Sequence, residues 1–227
     1  RRDSFHPEKG GRRGDGKEYW SYGLLECWRL EMNYILHLLI MIVIYLILAY
    51  GFNLVVGFGG LLSLCQAVFY GIGAYASTLL MMKTGMSFIP AILISMVITG
   101  LFALLVGIPA LRFRGDSFVI VTLGFQMIVF TILYNWVDFT RGPYGIPGIP
   151  RPVIAGYEIT TLPEYLLLVS VCLLILMAVL FVIYKSPFGL ALKALRDDEM
   201  AAEGLGKSPV HLFLYAFVIS GMTASVA

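Results

Sequence analysis

Residues 33–82 read NYILHLLIMIVIYLILAYGFNLVVGFGGLLSLCQAVFYGIGAYASTLLMM, fifty consecutive positions without Asp, Glu, Lys or Arg. A soluble fold cannot cover that much apolar surface with water-facing side chains. The stretch therefore places the chain in a membrane. Tyr34 to Val56 is long enough, at 1.5 Å per residue, to cross a hydrocarbon core of about 30 Å. Gly57-Phe58-Gly59-Gly60 breaks it, and Leu61 to Met82 follows with a different texture. Ala67/Gly71 and Gly73/Ser77 put small residues four apart, and Ser63 and Gln66 add polar groups. Small residues let helix backbones approach closely, so this second segment is expected inside a bundle, broken or re-entrant rather than lipid-facing.

Outward from this stretch the pattern repeats. Phe88–Leu111, Phe118–Val137, Tyr165–Tyr184 and Leu212–Ala227 are further apolar runs. The last is sixteen residues long, short of the roughly twenty a span needs, and is expected to continue beyond Ala227. The whole chain is 59% hydrophobic and 13% charged, with a mean hydropathy of +0.86. The fold class is all-α, a polytopic transmembrane helical bundle of about five to six membrane segments.

Residues 1–31 differ from the rest, holding seven of the sixteen Lys/Arg and six of the fourteen Asp/Glu. No apolar core follows those charges until after Glu31, so this is no secretory signal. Met32 is the expected translation start, with 1–31 an upstream extension of the reading frame. The competing reading is a short cytoplasmic tail. Residues 32–227 form the transmembrane domain.

The charge that remains gathers in one island, Lys185 to Ser208, KSPFGLALKALRDDEMAAEGLGKS, with eight charged residues in 24 positions. Ser186 and Pro187 suit an N-cap and first turn, so a helix is expected from Pro187 to about Arg196. Leu190, Ala191, Ala194 and Leu195 make its apolar stripe. Asp197 or Asp198 can cap a second helix through Glu199, Ala201, Ala202 and Leu205, with Gly206 at its C-terminal turn. Two short capped helices make a rigid knob, which serves either as a linker or as a docking surface. With this island cytoplasmic, inside loops carry Arg112, Arg114, Lys185, Lys193, Arg196 and Lys207, against Lys83, Arg141 and Arg151 outside. That asymmetry follows the positive-inside rule. The outside loop, 138–164, holds five prolines and four glycines and is expected to be rigid and non-helical.

Several function classes drop out. The net charge of +2 is too small, and its basic residues too scattered, for nucleic acid. Cys27, Cys65 and Cys172 form no CxxC pair, and no metal-ligand spacing appears. Ala201-x4-Gly206-Lys207-Ser208 satisfies a relaxed phosphate-loop pattern, but a helical segment precedes it and Pro209 follows. GxSxG and HExxH are absent, and no ionisable pair lies within a span to carry protons or ions. The intramembrane polar groups are neutral: Asn53, Ser63, Gln66, Thr122, Gln126 and Asn135. Each fits a helix–helix hydrogen bond or a solute contact.

Four blocks carry a family resemblance. SPFGLALKALRDDEMAAEGLG (186–206) resembles the cytoplasmic loop of permease subunits of branched-chain amino-acid ABC transporters. GFNLVVGFGGLLSLCQAVFYGIGAYAS (51–77), RGDSFVIVTLGF (114–125) and RGPYGIPGIP (141–150) resemble further family blocks in the same order. The Arg196–Glu199 wording is more similar to the second, M-type, of the two paralogous permeases. The chain departs from the family at Cys65-Gln66, where Gly-His or Gly-Gln is expected, and at Gln126-Met127, where relatives often read Gly-Glu.

The resemblance implies the membrane subunit of an ATP-driven importer, with no catalytic, cofactor-binding or metal-ligating residue of its own. ATP and magnesium would sit on separate ATP-binding subunits. A paralogous second permease and an extracytoplasmic substrate-binding protein would complete the machine, in a bacterial or archaeal plasma (inner) membrane. The substrates would be branched-chain or other hydrophobic amino acids. The resemblance assigns ATPase coupling to Pro187, Phe188, Gly189, Leu195, Arg196, Asp197, Asp198, Glu199, Ala201, Ala202 and Gly206. It lines a translocation path with Asn53, Ser63, Gln66, Thr122 and Gln126, and puts the binding-protein contact at Arg141, Gly142, Pro143, Tyr144 and Gly145. The alternatives are a permease for urea or short amides, or a secondary transporter or channel in which 185–208 is only a linker. The secondary transporter would show an inverted repeat, which the sequence does not display.

Overall fold

The computed structural model describes residues 16–227 except 114, 155, 156, 205 and 207. Helix α1 (Gly16–Asn53) runs unbroken through Met32 and closes in a π-helical turn, Leu54–Phe58. Non-helical chain then leads through residues 59–65 to α2 (Gln66–Thr84). After it come α3 (Phe88–Ala110) and α4 (Asp116–Asn135). A one-turn α5 (Val137–Thr140) and a 3-10 turn (Gly142–Tyr144) follow, then the antiparallel pair β1 (Val153–Ile154) and β2 (Tyr157–Glu158). The chain ends with α6 (Leu162–Lys185), α7 (Pro187–Asp197), α8 (Glu199–Gly204) and α9 (Pro209–Val226). The expected helical membrane bundle is what forms.

Local chemistry sets the boundaries. Pro109 sits one residue from the end of α3, where the helix is already closing. Gly115, at φ 59°, turns the chain into α4, whose first turn carries Asp116 against the positive end of the helix dipole. Glu164 Oε2 accepts the backbone N–H groups of Thr160 and Thr161, so α6 starts at Leu162, three residues ahead of the expected Tyr165.

Five helical stretches among the described residues are long and apolar enough to cross a membrane: Glu31–Phe58, Phe88–Ala110, Asp116–Asn135, Leu162–Lys185 and Pro209–Val226. Leu167, Leu174 and Val182 of α6 are 66%, 64% and 68% exposed, a face that lipid tolerates and water does not. The core lies where α2, α3 and α9 meet. Phe69 and Phe217 pack edge to face at 5.2 Å, and Phe118 adds a second edge contact to Phe217 at 6.4 Å. Ser95 Oγ donates to Gly73 O at 2.8 Å, tying α3 to α2. A Cβ at Gly73 would stand 2.5 Å from Ser225 Cα, and one at Gly221 would stand 3.0 Å from Ala103 Cβ. Backbones meet here because these positions carry no side chain.

Two groups of residues mark the two ends of the bundle. One cavity is lined by Gly60, Leu111, Gly115, Arg196 and Pro209, so the end of α1, the α3–α4 turn and the start of α9 share an end with α7. Another is lined by Lys83, Thr84, Trp136 and Thr140, which places the end of α2 at the opposite side. The segment between therefore crosses fully. Its inlet is broken, as expected, but it is not re-entrant. The physical reason is length: α2's 19 residues span about 28 Å, enough to reach the far side even from a start inside the bundle. It also follows that the Gly16 end of α1 lies on the side opposite α7.

Candidate functional site

The break between α1 and α2 leaves backbone N–H groups at membrane depth, where water cannot satisfy them. Side chains do so instead. Leu64 N donates to Thr122 Oγ1 at 3.3 Å, and Cys65 N to Ser63 Oγ at 3.3 Å. The Thr122 hydroxyl donates in turn to Val119 O at 2.9 Å, and Cys65 Sγ donates to Thr122 O at 3.0 Å. Gln66 opens α2 and pairs with α9: its Oε1 accepts the Ser220 hydroxyl at 3.0 Å, and its Nε2 reaches Ser220 O at 3.5 Å. Ser63, Gln66 and Thr122 are thus brought together. Ser220 and Cys65 were missed. Only the small polar run Ser220–Gly221–Met222–Thr223 within an apolar helix signalled the first.

These bonds occupy most of the hydroxyls in service of the backbone. Gln126 differs. It stands one turn beyond Thr122 on α4, and its Oε1 is buried without a hydrogen-bond partner. It lines a groove of about 440 Å³ between α2 and α4, with Ala67, Gly71, Tyr75, Phe130 and Tyr134 as walls. Of the five path candidates, Gln126 alone has a buried side-chain acceptor without a hydrogen-bond partner. Asn53 does not join this cluster. It lies exposed beside Gly57, at the α7 end of α1. Asn135 is also exposed, and donates to Thr131 O on its own helix at 2.9 Å.

At the α7 end the island folds as two helices. Ser186 Oγ accepts Gly189 N at 3.4 Å, and Pro187 opens α7. The buried face of α7 is Gly189, Leu192 and Leu195, with Phe188 half-buried beside them. The expected stripe is corrected. Leu190 is 61% exposed and Ala194 is exposed too, because α7 docks through the neighbouring face against α6, α9 and the π-helical turn. Asp198 O accepts Ala202 N at 3.2 Å to start α8, and Gly206, at φ 76°, turns the chain out of it. Asp197 and Asp198 are exposed, Glu199 is half-buried and Ala202 is buried. The side chain of Ala201 and the residues Leu205 and Lys207 lie outside what is described. Helix α8, not a strand, precedes the phosphate-loop-like wording, so that pattern lacks its structural context.

At the opposite end the Arg141–Gly145 turn is held from beneath. Thr140 Oγ1 donates towards Leu133 O and Trp136 O, at 2.6 and 2.8 Å, and accepts Gly142 N at 3.2 Å. Gly142 is buried at φ 54°, and a Cβ there would meet Tyr134 O at 2.5 Å. Arg141 shares the left-handed conformation, at φ 57°. Pro143 is exposed and Tyr144 is 87% exposed at the tip. Farther along, the Tyr157 hydroxyl donates to Glu164 Oε1 at 3.1 Å. That bond to a carboxylate, with its negative charge nearby, holds the phenol pKa above the usual tyrosine value.

Comparison with known proteins bears on all three regions. Residues 34–227 match the family model described as branched-chain amino acid transport system / permease component. The chain is 39% identical over 210 residues to the high-affinity branched-chain amino acid transport system permease protein LivM of Salmonella typhimurium, covering 82% of this chain and 49% of that protein. It is 39% identical over 207 residues to the protein of the same name in Escherichia coli, covering 81% and 49%. The chain spans about half the length of these curated relatives. No solved structure matches significantly.

Proposed function

From the premise that this chain belongs to the branched-chain amino acid transport permease family, we propose that it forms part of the membrane path of an ATP-driven importer of branched-chain or other hydrophobic amino acids. The observation that carries this reading is the groove between α2 and α4, whose walls are mainly apolar, with Gln126 and the phenols Tyr75 and Tyr134 as their polar members. An aliphatic side chain gains from such walls, whereas urea or a short amide would leave its hydrogen bonds unmade there. The apolar lining favours the amino-acid reading.

ATP hydrolysis belongs to separate subunits that dock on α7 and α8. Leu190 and Met200, 61% and 85% exposed beside Asp197 and Asp198, offer an apolar contact ringed by acid. Pro187, Phe188 and Gly189 shape the elbow that presents them, and Ala202 and Gly206 fix α8. A second permease encloses the path from its other side. A binding protein delivers the substrate at the Arg141–Gly145 turn, where Tyr144 projects. The setting is the plasma (inner) membrane of a bacterium or archaeon, with α7 and α8 in the cytoplasm.

The test is substitution in the full-length protein within its native membrane. Gly206→Ala and Glu199→Lys abolish leucine uptake while leaving the protein in the membrane at normal amount. Full uptake by both variants overturns the coupling assignment.

A further inference from the structure

Arg196 reaches out of α7 and donates from its guanidinium to Gly57 O, the carbonyl of the π-helical turn that ends α1. Its aliphatic stem lies on the backbone at Gly60, where a Cβ would stand 3.0 Å from Arg196 Cγ. One turn earlier on α7, Lys193 Nζ sits 4.8 Å above the centre of the Phe58 ring. The other face of Phe58 stacks on Tyr184 of α6 at 4.1 Å and 3°. Tyr184 in turn donates to Tyr50 O at 3.2 Å, one turn above the π-helical turn. Two cationic side chains from one helix thus grip one five-residue turn. Five residues beyond Phe58 the chain reaches Ser63, and then Cys65 and Gln66, whose bonds to Thr122 and Ser220 form the polar cluster at membrane depth.

A π-helical turn is a rare interruption of a helix and recurs at functional sites. Beneath α7 lies a cavity of about 410 Å³, bounded by Leu111, Phe113, Gly115, Pro209 and Phe213, with Leu195 and Arg196 on its wall. Packed cores resist gradual deformation, but a cavity lets a helix settle without displacing neighbours. Helix α7 therefore has both a grip on the turn and room to move it.

We propose that Arg196, with Lys193, is the positioning contact that transmits displacement of α7 to the broken inlet of α2, through Gly57 and Phe58. The proposal rests on the ATPase-docking reading above and adds to it the route into the membrane. Arg196 acts inward, on this chain's own backbone. Its role is to hand on a shift of α7, so that residues 59–65 move when α7 does. Gly60 belongs to the same device, because a side chain there presses on the arginine stem and, at φ 69°, strains the backbone between the turn and α2.

The test measures leucine uptake and ATP hydrolysis together, in proteoliposomes holding the full-length protein assembled with its ATPase, second permease and binding protein. Loss of a hydrogen bond from a charged donor predicts that Arg196→Ala lowers uptake per ATP hydrolysed by at least about tenfold. Arg196→Lys, whose ammonium can still donate to one carbonyl, stays within about threefold of the parent in the same ratio. Gly60→Ala reproduces the uncoupling with Arg196 intact. Unchanged uptake per ATP in Arg196→Ala overturns the proposal. So does equal damage in Arg196→Lys and Arg196→Ala, which would mark a forked arginine contact to the ATPase instead. If the parent assembly itself shows no ATP-dependent uptake, the docking reading fails, and that outcome is separable from these. Spin labels on α7 and near residue 62 supply a readout independent of transport. Nucleotide must change both positions together in the parent, and only α7 in Arg196→Ala. Continued joint movement in the variant overturns the relay.

Discussion

Gly189→Ala tests the elbow on which the island is built, and two effects oppose each other there. In an open helix, alanine for glycine stabilises by about 1 kcal/mol, because glycine loses more backbone freedom on folding. In α7 the new Cβ would stand 2.5 Å from Tyr184 O, 2.7 Å from Ile183 O and 2.8 Å from Tyr184 C. All three are backbone atoms of α6, so no rotamer change relieves them. Carbon–oxygen contacts settle near 3.3 Å, so α7 must retreat by roughly 0.8 Å. Overpacking of this kind costs about 1–3 kcal/mol, and the already long Gly189 N–Ser186 Oγ bond contributes about 0.5–1 kcal/mol more when it breaks. The clash wins, leaving α7 about 0.5–3 kcal/mol less firmly held after the propensity gain is deducted. Amide hydrogen exchange over residues 187–197 reads this directly, with protection falling by about twofold to a hundredfold. Slower exchange in Gly189→Ala would refute the reasoning, because propensity would then outweigh the contact with α6.

Other substitutions probe other parts of the account. Gly73→Ala forces a Cβ to within 2.5 Å of Ser225 Cα and separates α2 from α9, lowering stability by about 1–3 kcal/mol in a thermal melt of the detergent-solubilised protein. Thr140→Val removes the hydroxyl that joins Leu133 O, Trp136 O and Gly142 N, at a cost of about 1–3 kcal/mol. Proteolysis within residues 141–161 then quickens while the spans stay intact. Gln126→Leu deletes a buried acceptor that has no partner, so the melting temperature rises by the equivalent of about 1 kcal/mol while leucine uptake falls. A stable variant with full uptake would remove Gln126 from the path.

The spans were legible in the sequence to within a few residues, because uncharged runs bounded by Gly, Pro and charge have few other readings in a membrane protein. The two capped helices of the island were legible for the same reason: Ser186, Asp198 and Gly206 each have a specific backbone role. Faces were not. Where the solvent is lipid, exposed residues are as apolar as buried ones, so Leu180 and Val182 of α6 look alike in sequence although one is fully buried and the other exposed. The π-helical turn was hidden as well, since LVVGF suits an α-helix equally. Asn53 carried a plausible polar signal, but composition does not say which end of a span a residue occupies. Ser63 and Thr122 were found as polar positions, while their service to the backbone of residues 64 and 65 emerged only from three-dimensional contact.

The central claim is that this family member moves hydrophobic amino acids at the expense of ATP bound elsewhere. The most direct measurement follows leucine uptake into vesicles carrying the assembled full-length transporter, with ATP present or absent and with ionophores collapsing every ion gradient. The account predicts uptake that requires hydrolysable ATP and is indifferent to the ionophores, because the apolar runs 34–56, 88–111, 118–137, 165–184 and 212–227 hold no Asp, Glu, Lys or Arg to couple ions. Uptake that persists without ATP and stops with the ionophores would contradict it.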